Sequence, residues 1–215
     1  MTEPTTDPDG DRAPTLHERL TGRPWDTSYQ DGPAPWDTGR PQPAVVRLAA
    51  RGAFTGRVLD AGCGTGENAL HLASLGLSTV GVDVAETALA EARRKAAERR
   101  LDATFLIADA LRLDLDHTFD SVLDCGLFHT FDDQERLLYV ASLTAVTVPG
   151  ATLHLLCFSD AEPGTGGPRR VSRDELRGTF GPGSGWQVDT IEADRFETRF
   201  HPDGAAAWVA SIRHG

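Results

Sequence analysis

Apolar and polar positions along the chain fall into two alternating patterns. Dense apolar runs end at Asp60, in STVGVD (78–83), TFLIAD (104–109), FDSVLDCG (119–126) and TLHLLCF (152–158). Between them the apolar residues recur at helical spacing: over 44–53, from Ala69 through Leu70, Leu72 and Ala73 to Leu75, over 85–100 and over 132–147. Gly76 suits a helix C-terminus, and Pro149 and Gly150 close the last of these helices. Strands alternating with helices in this way predict an α/β chain with a parallel, doubly wound sheet. TLHLLCF is almost wholly apolar, which predicts a strand buried on both faces. The end of the chain breaks the pattern. After a Ser172-x-x-Glu175 capping box for a helix over 172–180, strand-like segments at 186–192 and 205–212 have no helix-length stretch between them. They predict a closing antiparallel pair.

Residues 58–73, VLDAGCGTGENALHLA, read as strand, tight glycine turn and helix. Glycine permits positive φ and lets a ligand approach bare backbone, while the helix start offers unpaired N–H groups. A dinucleotide fingerprint needs a third glycine where Glu67 stands, and a phosphate loop needs a lysine where none is present, the chain's lone lysine being Lys95. Asp60 before the turn repels a pyrophosphate and suits an ammonium group. The run D-x-G-x-G-x-G from Asp60 to Gly66 resembles motif I of the class I S-adenosylmethionine-dependent methyltransferases.

That resemblance covers about residues 40–160. It implies a Rossmann-like, doubly wound, seven-stranded and mostly parallel sheet with an antiparallel last strand. It also implies S-adenosyl-L-methionine as cofactor and S-adenosyl-L-homocysteine as product. Motif I contributes Asp60, Gly62, Cys63, Gly64 and Gly66 to the cofactor site. Asp83, ending the second strand, is expected to take the ribose hydroxyls, with Val84 beside it; NAD-binding folds place a carboxylate there too. Asp109 and Ala110 are expected at the adenine. In LDCGLFHTF (123–131), Cys125 and Gly126 fall near the sulfonium and His129 near the acceptor, where a histidine can act as a general base. His154, inside an apolar strand, reads as a satisfied core histidine.

PWDTGRPQP (35–43), LFHTF (127–131) and GGPRRVSRDEL (166–176) narrow the likeness to small bacterial methyltransferases similar to thiopurine S-methyltransferase and to heterocyclic-toxin N-methyltransferases. In these the first segment closes over the cofactor, which places Trp36 on the methionine portion with Arg40 and Gln42 nearby. A second PWDT at 24–27 puts Trp25 and Tyr29 in the same segment. The implied organisation is a disordered tail over 1–14 and a single methyltransferase domain over 15–215 that begins with a lid at 15–43. Trp25, Tyr29, Trp36 and Phe128 suggest a flat aromatic or heterocyclic acceptor, methylated at S, N or O. Arg169 and Arg170 are candidates for an acceptor anion, or a solvated pair.

Composition bounds these readings. At 215 residues, with 21 basic against 32 acidic side chains and a net charge of −11, the chain is poorly suited to nucleic acid or an anionic membrane. Cys63, Cys125 and Cys157 are too far apart in sequence for a C-x-x-C metal site, so no metal is expected. No apolar run approaches the roughly 18 residues of a membrane span, and the cytoplasm is the expected location. Two other readings stay open at this level: an NAD-dependent oxidoreductase, which would bind NADH, and a non-catalytic S-adenosylmethionine-binding protein.

Overall fold

The computed structural model describes residues 12–215; most of the tail expected over 1–14 lies outside the described residues. Two short helices, α1 (Leu16–Thr21) and α2 (Thr27–Gln30), precede α3 (Pro43–Ala50). Then come β1 (Arg57–Ala61), α4 (Glu67–Ser74), β2 (Ser78–Asp83), α5 (Glu86–Arg99) and β3 (Ala103–Ile107). The second half contains β4 (Phe119–Cys125), α6 (Asp133–Val146), β5 (Thr147–Phe158), α7 (Arg173–Thr179), β6 (Trp186–Thr198) and β7 (His201–His214). The seven strands form one sheet in the order β3-β2-β1-β4-β5-β7-β6. β1 to β5 run parallel, and β7 is antiparallel to both its neighbours, β5 and β6.

The alternation of side chains along each strand loads both faces. Leu59, Val122, Leu153 and Leu155 join Tyr139 and Leu143 of α6 and Leu176 of α7 in one apolar layer. On the other face Val58, Leu123 and Leu156 pack with Val45 and Leu48 of α3 and Leu72 of α4. Asp60 shares the face of Val58 and is 1% exposed. β5 is buried without a break from Leu153 to Phe158, as the composition of that stretch predicts. His154 within it holds Ala53 O at 3.0 Å and Ser211 Oγ at 3.1 Å, a satisfied core residue.

The last two strands are longer than the apolar pattern indicates. β6 extends through the polar stretch Ala193–Thr198 because it is an edge strand, bonded only to β7, and one side of it needs no apolar residues. The expected capping box is present: Ser172 Oγ accepts from Glu175 N–H at 3.1 Å, and Glu175 accepts from Ser172 N–H at 2.7 Å. Among the described residues no helix is long and apolar enough to cross a membrane.

β1 pairs β2 on one side and β4 on the other, so strand order reverses beside its carboxyl end, where open α/β sheets form their ligand crevice. The glycine turn fills that corner. Gly66 adopts φ 81°, and a Cβ there would come within 2.9 Å of the Phe105 ring and Ala92. Gly66→Ala therefore meets both a strained backbone and a closed space; it is expected to cost about 2–4 kcal/mol in urea unfolding.

Candidate active site

The glycine turn is held from two sides. The N–H groups of Gly62 and Cys63 both donate to Val82 O at 2.9 Å. The N–H of Gly64 donates to Asp83 Oδ2 at 2.8 Å, and the other oxygen of Asp83 accepts the Ala85 N–H at 2.9 Å. Burial pushes the Asp83 carboxyl up, and these N–H groups oppose the shift. Each Asp83 oxygen keeps a free lone pair on a carboxylate that borders a large cavity.

Asp60 is the opposite case. Both of its oxygens are buried without a hydrogen-bond partner. Burial, reinforced by the charges of Asp124 and Asp83, pushes its carboxyl up to about 7, with the nearby Ala69 N–H opposing only in part. Asp124, on the neighbouring strand β4, accepts the Leu127 and Phe128 N–H groups, and burial moves it up to about 6. A carboxylate left unsatisfied beneath a bare glycine turn is a place prepared for a cation.

The cavity collects most of the residues singled out in the sequence. Trp36, Gly62, Asp83, Val84, Asp109, Ala110, Cys125 and His129 all border it. Cys63 and Gly64 line an adjoining pocket, which shares Trp36, Gly62 and Cys125 with the first and adds Arg40 and Gln42. Asp60 and Gly66 border neither: Asp60 is buried behind them at 1% exposure, and Gly66 packs against Phe105. Asp109 lies just past β3, where its side chain accepts the Leu111 N–H at 2.9 Å and caps the 3-10 turn Ala110–Arg112.

The N-terminal segment is docked over this crevice. Both PWDT copies use their aspartate to hold it: Asp26 accepts the backbone N–H and the hydroxyl of Thr87 at 2.7 and 2.8 Å, and Asp37 accepts the Thr65 hydroxyl at 2.8 Å. Thr87 lies in the first turn of α5 and Thr65 in the glycine turn. Trp25 stacks on His17 with centroids 4.0 Å apart and meets Trp36 edge-on at 5.8 Å. Trp36 Nε1–H donates to the Tyr29 hydroxyl at 3.0 Å, and that hydroxyl sits against Gly64.

On the far wall stand Phe158 and Phe196, with His129 between them at centroid distances of 5.1 and 5.9 Å. His129 is 5% exposed, and burial first, then the charges of Arg136 and Arg170, push its ring down to about 3. Its Nδ1 accepts the Phe158 N–H at 3.0 Å. The general-base role expected of His129 does not fit this geometry, because the only nitrogen with a lone pair is already occupied. Nor do the arginines present free charge to an acceptor. Arg169 pairs with Asp133 and Glu175, and Arg170 donates to the carbonyls of Glu162, Pro163 and Pro168. Phe158, Phe196, His17 and Asp124 were not singled out in the sequence, since their position depends on contacts with distant segments.

Comparison with known proteins decides the family. A methyltransferase domain family matches residues 58–150. The 2-heptyl-1-hydroxyquinolin-4(1H)-one methyltransferase of Mycobacteroides abscessus is 38% identical over 202 residues, covering 91% of this chain and 84% of that protein. The chain belongs to the class I S-adenosylmethionine-dependent methyltransferases. A probable thiol methyltransferase of Arabidopsis thaliana is 31% identical over 154 residues, covering 70% of this chain and 68% of that protein. A solved structure from work on the conversion of a disulfide bond into a thioacetal group during echinomycin biosynthesis is 37% identical, with a TM-score of 0.76 over 84% of this chain and 85% of that one. The methyltransferase sheet and its carboxyl-edge crevice are thus accounted for, and its cofactor is S-adenosylmethionine.

The raised Asp60 carboxyl makes a prediction with a definite sign. The folded ligand-free methyltransferase keeps this proton to about pH 7, whereas the unfolded chain releases it near pH 4. Stability contributed by the protonated form is therefore full below about pH 4 and is lost as pH rises towards 7. Asp60→Asn is expected to flatten that loss and raise unfolding stability at pH 8 by about 1–3 kcal/mol, read by urea titration at several pH values.

Proposed function

We propose that this enzyme methylates a small, flat aromatic or heterocyclic acceptor, with the two ends of its crevice divided between cofactor and acceptor. The observation that carries the reading is the unsatisfied Asp60 pair of oxygens beneath the glycine turn. It suits the ammonium end of S-adenosylmethionine, whose backbone approach needs the side-chain-free positions Gly62 and Gly64. Asp83 would take the ribose hydroxyls on its free lone pairs, with Val84, Asp109 and Ala110 beside the adenosine. Cys63 and Cys125 would flank the methionine portion under Trp36. Bound there, the cofactor supplies a methyl group on a positively charged sulfur. What the chain itself contributes is position and the exclusion of water, through the aromatic walls.

The acceptor reading rests on those walls. Trp25, Trp36, Phe158 and Phe196 border the same cavity as His129, and the relatives are named for a hydroxyquinolone and for thiols. Cys125 is no covalent nucleophile in this scheme, since burial raises its thiol well above the ordinary range. The charge of −11 further supports a small-molecule partner over nucleic acid, in the cytoplasm. Incubation with methyl-labelled S-adenosylmethionine and a panel of thiols, acidic phenols, N-hydroxy heterocycles and ring nitrogens tests the reading. Label on at least one flat aromatic class is expected. Label only on aliphatic acceptors or on protein would overturn it.

The segment 15–43 acts as a lid within the single domain 15–215. Its two aspartates grip the helix start beside Asp83 and the turn beside Asp60, so docking the lid and enclosing the cofactor become one event. Replacing Asp26 and Asp37 together by alanine removes the three hydrogen bonds that join them to the crevice, two of them from hydroxyls. S-adenosylhomocysteine is expected to dissociate about 10–100-fold faster from this variant in stopped flow, with a small change in melting temperature. An unchanged rate would leave the segment a static cover.

A further inference from the structure

His129 is held in a way that the proposed transfer leaves unexplained. It lies in the 3-10 turn Phe128–Thr130, and its Nδ1 is 3.0 Å from the backbone nitrogen of Phe158. A backbone N–H has no lone pair to offer, so Nδ1 must accept. In a neutral imidazole that places the proton on Nε2. A second proton on Nδ1 would set two N–H groups against each other in a buried contact. Nε2 borders Gly126, a Cβ built on which would lie 3.5 Å from it, and the ring borders the cavity. Among the described residues no hydrogen bond reaches Nε2.

The surrounding charges agree with this. The groups that act on His129 are Arg136 of α6, Arg170 of the loop after β5, and His17 of α1, all basic. Arg136 is 3% exposed, lies 4.3 Å from the Phe128 ring centroid, pairs with Glu175 at 3.2 Å through one guanidinium nitrogen, and has no partner on the other two. Glu162 accepts the Ala206 N–H and lies 3.4 Å from His201. Basic groups thus lie around the ring, with Glu175 as the shared counter-charge of Arg136 and Arg169, and the acceptor end offers one fixed donor.

We propose that His129 is a permanent hydrogen-bond donor rather than a base, and that it selects acceptors that react as anions, namely acidic heteroaromatic hydroxyls and thiols. The inference rests on the methyl-transfer reading above. An anionic oxygen or sulfur gives a lone pair to the methyl carbon, and the cofactor sulfur keeps the electron pair of the bond that breaks. The negative and the positive charge both disappear, and no proton remains to be removed, because solvent took it before transfer. The Nε2–H group binds and aims the anion and favours its ionisation. Loss of opposite charges is helped by an enclosed apolar site, which stabilises separated ions poorly.

The test begins with the ligand-free wild-type enzyme labelled with ¹⁵N-histidine. The His129 ring is expected to show a protonated Nε2 and an unprotonated Nδ1, unchanged between pH 5 and pH 9; the reverse tautomer, or titration in that range, overturns the proposal. In turnover, the acid limb of kcat/KM is expected to move with the acidity of each acceptor across a graded series of phenols and thiols. One midpoint shared by all acceptors would identify an enzyme base and overturn it too. His129→Gln, which keeps a donor, is expected to retain most activity, whereas His129→Phe loses about 10–100-fold with the least acidic phenols and less with thiols. Equal losses in both variants would refute the donor role. Calorimetry with S-adenosylhomocysteine keeps the two readings apart: absent binding sinks methyl transfer itself, while the ring tautomer is decided without any ligand.

Discussion

The carboxylate of Asp83 takes the Gly64 N–H on one oxygen and the Ala85 N–H on the other, and so ties the turn after β1 to the start of α5. Everything that surrounds the crevice is placed by that tie. The turn can lie so close to β2 because Gly62 and Cys63 both donate to Val82 O and Gly66 leaves room for Phe105. The N-terminal segment then docks on the two pieces the tie joins, through Thr65 and Thr87. Removing the carboxylate would leave two buried N–H donors open and let the two docking points drift apart.

Around this tie the protein accumulates electrostatic cost. Asp60, Asp83 and Asp124 are buried near one another, and each has its carboxyl raised by burial. Asp83 and Asp124 are relieved by backbone N–H groups, but Asp60 is not. A core built for stability alone would place an apolar residue at Asp60, since the same strand face carries Val58 into an apolar cluster. The cost is intelligible as preorganisation: a cation arriving at this site meets a carboxylate that needs no reorientation and has lost its water in advance.

How much of this was legible in the sequence depends on the range over which each feature is decided. The strands and the glycine turn are local matters of apolar period and glycine spacing, and their boundaries agree to within two residues through β4, whereas β5 starts five residues before the expected 152 and takes in Pro149 and Gly150. β6 and β7 extend further because the polar run Ala193–Thr198 pairs as an edge, which no local pattern reveals. The paired PWDT segments drew attention as aromatic cover, yet their aspartates turn out to anchor it. Asp26 reaches a threonine 61 residues away and Asp37 one 28 residues away, contacts without a sequence signature. His129 shows the limit most sharply. Its place in LFHTF pointed to the acceptor end, but whether it gives or takes a proton is set by one N–H of β5, 29 residues on.

These pieces combine into a site with two electrical ends. The proposed methionine end holds Asp60 and Asp124, and the proposed acceptor end has Arg170 and Arg136, the latter paired with Glu175, around His129. A positively charged sulfur is attracted to the first and an anionic nucleophile to the second, so the same field that separates the partners by kind also draws each into place. The field is supplied by groups already fixed by strands β1 and β4 and by α6, so no reorganisation is needed at the moment of transfer. In the proposed transfer the sulfur and the acceptor atom both become neutral, while the cofactor product keeps the ammonium group assigned to Asp60. On the lid proposal, product release then depends on freeing segment 15–43, which Asp26 holds through two hydrogen bonds and Asp37 through one.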